Sequence, residues 1–147
     1  MNGFLMRPRQ TTRLVFSVPT DNVTVTGNNT WNRWSTVWQL TVPNVLAGQY
    51  VLLTAEVAMS NASNYTGAAF YRVTGGATYL WSTVTTAFGH VTGTTMHFVD
   101  TTPGLGDITY EIYGGGNTGT VSLRNNGDSS FSIDEGSSIF LAEAYYP

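Results

Sequence analysis

The sequence has no cysteine and no lysine, and few charges of any kind. Without cysteine there is no disulfide scaffold, no cysteine nucleophile and none of the common zinc sites. Charged residues fill 10% of the 147 positions, where a soluble domain typically carries about 25%. A folded chain with so few charges turns much of its surface to other protein or coats it with neutral polar groups. No apolar run approaches the roughly 18 residues of a membrane helix. The opening residues, Met1 to Arg9, lack the long apolar stretch of a secretory signal. A net charge of −3 gives no global basic footprint for nucleic acid. Asn-x-Ser/Thr sequons at Asn22, Asn28, Asn61 and Asn64 then read as a by-product of Asn and Thr richness.

Apolar residues at 41% and aromatics at 13% exclude disorder and supply one real core. The basic residues are unevenly placed. Arg7, Arg9 and Arg13 lie where there is no acid, whereas the body carries Arg33, Arg72 and Arg124 against nine acids. Residues 1–11 are expected to form an extended basic N-terminal arm, and residues 12–147 a single domain. Pro8 bars a helix through the arm. The planar guanidinium fork pairs bidentately with carboxylates, so Arg7, Arg9 and Arg13 are the expected docking residues for an acidic groove on a partner. The alternative is an ordinary frayed terminus.

The body reads as all-β. Thr favours strands, Gly and Asn make turns, and no helical period of 3.6 is visible. Strand-like runs recur at short spacing, the pattern of a sandwich or barrel. They are Thr12–Val18, Arg33–Val42 ended by Pro43-Asn44, Gln49–Met59, Ala68–Thr74, Thr78–Val84, Thr92–Val99, Asp107–Tyr113, short runs at Val121/Leu123 and Phe131/Ile133, and Ser138–Tyr145. Thr24 and Thr26 alternate against Val23 and Val25 in the polar stretch before Arg33. Trp34, Thr36, Trp38, Leu40 and Val42 share one face. Gln49–Met59 is almost continuously apolar, so it is expected to be a central strand covered on both faces. Ile108, Tyr110 and Ile112 share a face. In the last strand, Ile139, Leu141 and Ala144 are set against Phe140, Ala142 and Tyr145. Gly75-Gly76, Thr102-Pro103-Gly104, Gly114–Asn117 and Asn126-Gly127 are expected turns.

Three stretches carry a family resemblance. One runs Val37-Trp38-Gln39-Leu40 and on through Gly48-Gln49-Tyr50-Val51-Leu52-Leu53-Thr54-Ala55. The second is Asp100-Thr101-Thr102-Pro103-Gly104-Leu105-Gly106-Asp107 leading into Tyr110 and Ile112. The third is the terminal Ser137-Ser138-Ile139-Phe140-Leu141-Ala142-Glu143-Ala144-Tyr145. Together they resemble the trimeric jelly-roll domains of the complement-globular-head and tumour-necrosis-factor type found in bacteriophage structural proteins, over roughly residues 33–146. The resemblance implies a sandwich of about ten antiparallel strands assembled as a tight homotrimer with the terminal strand near the threefold axis. It places Tyr110, Phe140, Tyr145 and Tyr146 at subunit contacts. A chain ending Tyr145-Tyr146-Pro147 is also odd for a monomer, because terminal aromatics are exposed unless something covers them.

The residues offer little for catalysis. There is no nucleophile elbow around a serine, and His90 and His97 lack metal-ligand spacing. Asp134 and Glu135 diverge if extended, and Asp100 and Asp107 read as turn formers, so no carboxylate pair is set for glycoside cleavage. Asp128 and Asp134 with Asn125 and Asn126 are too sparse for calcium. No enzyme, metal or cofactor is expected. Trp31, Trp34, Trp38 and Trp81, with Tyr65, Tyr71 and Tyr79, could stack on sugar rings. Trp31, in a polar stretch, is the best surface candidate, whereas Trp34 and Trp38 belong to a core face.

Three function classes follow. The first is a virion protein, a capsid decoration or cement protein whose trimers sit on the major capsid protein and whose arms tie the shell together. The second is the receptor-binding, carbohydrate-binding head of a phage tail or fibre, with Trp31 at a host glycan. The third is a non-viral secreted or cytosolic trimeric ligand, for which the lack of Cys and of a signal argues against secretion.

Overall fold

A computed structural model describes residues 16–17, 23–26, 31–33, 38–61, 66–85, 91–116, 120–124 and 139–147. Among the described residues, eleven strands occur in the order β1 (Phe16–Ser17), β2 (Val23–Thr26), β3 (Trp31–Arg33), β4 (Gln39–Val45), β5 (Tyr50–Asn61), β6 (Thr66–Arg72), β7 (Thr78–Thr85), β8 (Val91–Asp100), β9 (Gly106–Gly116), β10 (Thr120–Arg124) and β11 (Ile139–Tyr145). All pairings among them are antiparallel. They build two sheets. The first centres on β5, with β8 on one side and β11 and β10 sharing the other; β1 extends β11 and β2 extends β10. The second centres on β9 and β6, with β7 beyond β6 and with β3 and β4 sharing the far side of β9. The architecture is an antiparallel jelly-roll sandwich.

The core follows from strict alternation. Val51, Leu53, Ala55 and Val57 point inward from β5, Phe140, Ala142 and Ala144 from β11, and Ile108, Tyr110 and Ile112 from β9. Trp38, Leu40 and Val42 are buried on the face expected for them, whereas Trp34 and Thr36 lie outside the described residues. Phe70 of the second sheet stacks on Phe140 of the first, with ring centroids 5.7 Å apart. Each fully buried side chain of this size contributes about 1.5–3 kcal/mol.

Several expectations need correcting. Strand β5 is central but not covered on both faces: Leu52 and Thr54 are half-buried and Glu56 is exposed. Its apolar run is long because Leu52 adds to an outer face on which polar residues otherwise sit. Pro43-Asn44 does not end its strand. The pair makes a bulge, with Asn44 at a φ of 53°, after which Val45 pairs with Gly106. A bulge is where a strand tolerates a proline that cannot donate to the ladder. Gly114–Gly116 is not a turn but part of β9, laddered to Gly67, Ala68 and Thr66 of β6. Gly75-Gly76 belongs to a five-residue connection between Arg72 and Thr78 rather than a two-residue turn. Ala144 lies with Phe140 and Ala142, and Tyr145 faces outward with Leu141, as an unbroken period of two requires. Residues 1–13 and 131–133, which hold the expected arm and one expected strand, lie outside the described residues.

One polar cluster crosses the interior. Arg72, at the end of β6, donates from Nη1 to both oxygens of Asp100, at 2.9 and 2.7 Å, and to the Thr102 carbonyl. Its Nε donates to the Gly76 carbonyl at 3.1 Å, and the Thr102 amide donates to Asp100 at 3.1 Å. Arg72 is 8% and Asp100 2% exposed. The pair therefore joins the two sheets and pins both adjoining loops. Those loops touch at glycines. A Cβ on Gly75 would lie 2.5 Å from the Pro103 carbonyl oxygen, and one on Gly104 would lie 3.2 Å from the Gly75 Cα.

Removing one partner of such a pair strands the other as a buried charge, at a cost of about 3–5 kcal/mol. Asp100→Ala is expected to lower folding stability by that amount in denaturant titrations. Asp107→Ala, whose exposed carboxylate accepts from the Asn44 amide at 3.0 Å, is expected to lose less than about 1 kcal/mol. Equal losses would show that the inter-sheet pair is not what holds this end.

Candidate functional site

The outer face of the first sheet is assembled from β11, β5 and β8. Register places Glu143, Leu52 and Val99 in one row, Leu141, Thr54 and His97 in the next, and Tyr145 beside Tyr50. Leu52, Val99, Leu141, Tyr50 and Tyr145 are all half-buried, and the two tyrosine rings meet edge-on with centroids 6.2 Å apart. The charges described on this face are Glu56 and Glu143. His97 is exposed there, its Nδ1 3.2 Å from the Thr54 hydroxyl. The half-buried apolar residues form a strip on this face, flanked by the exposed Glu56 and His97, that is able to pack against protein.

The outer face of the second sheet differs. Tyr71 of β6, Tyr79 of β7 and Tyr113 of β9 form a triangle with centroid separations of 4.9, 4.7 and 5.5 Å. Two of these contacts are edge-to-face, the favoured geometry for aromatic quadrupoles. A bulge between Phe70 and Tyr71 inserts Leu80 into β7, so that Tyr79 pairs with Tyr71 while Trp81 pairs with Phe70. Beside the triangle, the exposed Arg33 pairs with Glu111, whose carboxylate is almost fully buried. Burial pushes the Tyr113 phenol up, as do the charge of Glu111 and the neighbouring phenols, with Arg33 opposing. Tyr79 is raised by burial and then by Tyr71.

The expected site residues divide. Tyr110 and Phe140 are wholly buried inside the chain. Neither presents surface to another subunit, because each lies on the inward face of its strand; this corrects their placement at a subunit contact. Tyr145 and Tyr146 are half-buried, and Tyr145 belongs to the apolar outer face just described. Trp31 is half-buried on β3 opposite Gly115, which offers no side chain against it. Arg7, Arg9 and Arg13 lie outside the described residues. Asp100 is a turn former, as expected, but it is also the interior partner of Arg72 and of the Tyr110 hydroxyl, which donates to it at 3.0 Å. The residues that sequence reasoning missed are Arg33, Glu111 and Tyr113. Alternation with the inward Tyr110 and Ile112 put Glu111 and Tyr113 on the outer face, but nothing local showed that Arg33, 78 positions away, would close over the carboxylate. Among the described residues, no three His, Asp or Glu side chains converge to hold a metal ion.

The chain is similar in structure to Eiger TNF from S. frugiperda, with a TM-score of 0.60 at 12% identity, over 96% of each chain. The two share a fold. Weaker overlaps occur with the Gx strain of infectious bursal disease virus, at a TM-score of 0.44 and 11% identity over 92% of this chain and 41% of that one, and with the VP2 subviral particle of the same virus, at 0.44 and 8% over 95% and 38%. This chain thus spans about two-fifths of those viral chains, and overlaps so slight decide nothing about its role. No protein-family model matches the sequence, and no curated protein matches it either.

The Tyr110 phenol yields a pH prediction. Burial, then the adjacent Asp100 carboxylate, raise it far above the ordinary value of 10.0, with Arg72 opposing. The folded state therefore keeps a proton that the unfolded chain releases above about pH 10. This group leaves stability unchanged below that pH and lowers it as pH rises further. Tyr110→Phe is expected to make the alkaline fall in denaturation midpoint shallower than in the parent chain. An identical alkaline slope in the two would contradict the assignment.

Proposed function

We propose that this chain is a non-enzymatic virion protein that self-associates as a homotrimer on the capsid surface and binds the major capsid protein as a cement or decoration protein. The observation that carries the self-association is the outer face of β11, β5 and β8, where Leu52, Val99, Leu141, Tyr50 and Tyr145 lie together. A second and third copy of the chain are its occupants. Burying such a face removes apolar area from water at about 25 cal/mol per Å². The scarcity of charge fits a surface that meets protein. The trimer and the virion setting rest on the resemblance of residues 33–146 to phage structural jelly rolls, and the shared fold with a tumour-necrosis-factor domain is in keeping with it.

Docking falls to the arm and its junction with the body. Arg7, Arg9 and Arg13 of each copy pair with carboxylates on neighbouring capsid subunits. Three arms on one trimer add avidity that a single exposed contact lacks, and binding to the assembled shell stabilises it by mass action.

Light scattering coupled to size exclusion is expected to give three times the chain mass. Leu141→Glu and Leu52→Glu, each adding charge to the half-buried face, are expected to give monomers with unchanged β-sheet circular dichroism. A monomeric parent chain, or trimers that survive both substitutions, would overturn the assembly.

Removal of residues 1–11 is expected to leave the trimer intact and abolish decoration of shells. Binding by the full chain is expected to weaken as salt is raised, because exposed ion pairs are screened over about 10 Å at 0.1 M. Full occupancy by the truncated trimer would refute the arm's role, and a few copies per purified particle rather than hundreds would move the protein from shell to tail.

A further inference from the structure

The outer face of the second sheet is not used by the assembly proposed above. From its residues we infer a binding site for a neutral oligosaccharide, centred on Tyr71, Tyr79 and Tyr113 and bounded by Arg33, Glu111 and Trp31. The inference stands on this face alone and does not depend on the trimer.

Three features of the face combine. The first is a rigid aromatic floor. The three rings brace one another at 4.7–5.5 Å, so a ligand stacking on them orders nothing further. Tyr79 is 48% exposed at the sheet edge and offers its ring to solvent. Tyrosine is suited to a ligand with apolar C–H faces and a hydroxylated rim, since its ring is apolar and its tip hydrogen-bonds. The second is a fixed polar group beside the floor. Glu111 is 2% exposed on the outward side of β9 and is held by Arg33. The guanidinium commits Nη2 to that carboxylate, and a guanidinium carries five N–H donors in all. The exposed guanidinium, held in place by that pair, presents N–H donors to the hydroxyls of a pyranose. A few convergent polar groups set among aromatic rings is the usual make-up of a small-ligand site. The third is a further aromatic side chain. Trp31 is half-buried on the same side of β3 as Arg33, two residues away, and Arg33 is the partner in register of Tyr113.

The same observations disfavour other occupants. Single-stranded nucleic acid also stacks on aromatic platforms, but it needs a basic groove. Arg33 is already neutralised by Glu111, and the chain as a whole is acidic. A protein partner needs about 800 Å² of complementary surface with an apolar centre. Around the rings this face is instead polar, with Gln39 and Glu111 paired across the strands and the Thr41 and Thr109 hydroxyls bonded at 2.9 Å.

The test applies the full chain to a glycan array that includes neutral, sulfated and sialylated oligosaccharides. Titration calorimetry with the best neutral oligosaccharide follows. Binding to neutral glycans is expected. Tyr79→Ala is expected to weaken it by about tenfold or more, and Tyr79→Phe, which keeps the ring, by much less. Tyr79→Phe, which keeps both ring contacts, should keep the parent's thermal midpoint, and circular dichroism should show both variants folded. Leu105→Ala, which alters the exposed leucine in the β8–β9 loop, should bind like the parent and so controls for non-specific adhesion. Absence of binding across the array, binding confined to sulfated or sialylated glycans, or binding that survives both Tyr79→Ala and Tyr113→Ala would each overturn the proposal.

Discussion

The two sheets are held in one relation by the buried pair between Arg72 and Asp100. Arg72 ends a strand of one sheet and Asp100 ends a strand of the other, so their contact fixes how the layers lie at that end. The pair also acts as a register lock. A slip of β6 or β8 by one residue would turn one charge out of the interior and leave the other alone inside it. Hydrophobic alternation specifies register only through many small terms, whereas an unpaired buried charge costs several kcal/mol at once. Everything on the outer faces inherits this registration, because a face is defined by which residues the interior has taken.

The two outer faces then acquire opposite characters from the same period-two rule. On β5 and β11 the outward positions carry Leu52, Leu141 and Tyr145, and the result is an apolar surface. On β9 and β6 they carry Glu111, Tyr113 and Tyr71, with Gly115 paired with Gly67 further along. Under the two proposals, one face meets copies of the same chain and the other a hydroxylated ligand.

Much of this was legible in the sequence. The strands appeared as alternating runs because their inward residues are branched or aromatic, and turn chemistry marked most of the ends. What failed was local reading of features set by distant partners. Pro43-Asn44 looked like a stop because a bulge and a strand end share the same residues, and only pairing with Gly106 tells them apart. Gly114–Gly116 looked like a hairpin tip because glycine has no side chain to betray a strand, yet its backbone is laddered to neighbours. Tyr110 and Phe140 were expected at a surface on the strength of resemblance, although both sit on faces that alternation alone assigns to the interior. Asp100 was legible as a turn former and not as a core charge, since its partner is 28 residues away. The tyrosine triangle was half visible: Tyr71 and Tyr79 were candidates for stacking, but Tyr113 joins them only through the pairing of β6 with β9.

Strand β7 carries one residue more than β6 needs, and it does so at the edge of its sheet. Loss of Leu80 would convert the bulge into a regular ladder in which Tyr79 still stands across from Tyr71 and Trp81 across from Phe70. Only one partly buried side chain would leave the rim of the core. The same deletion in β5 or β9 would invert a face and expose the interior. The Tyr79 corner of the aromatic platform is thus built where the chain can change length, while the strands that define the sandwich cannot.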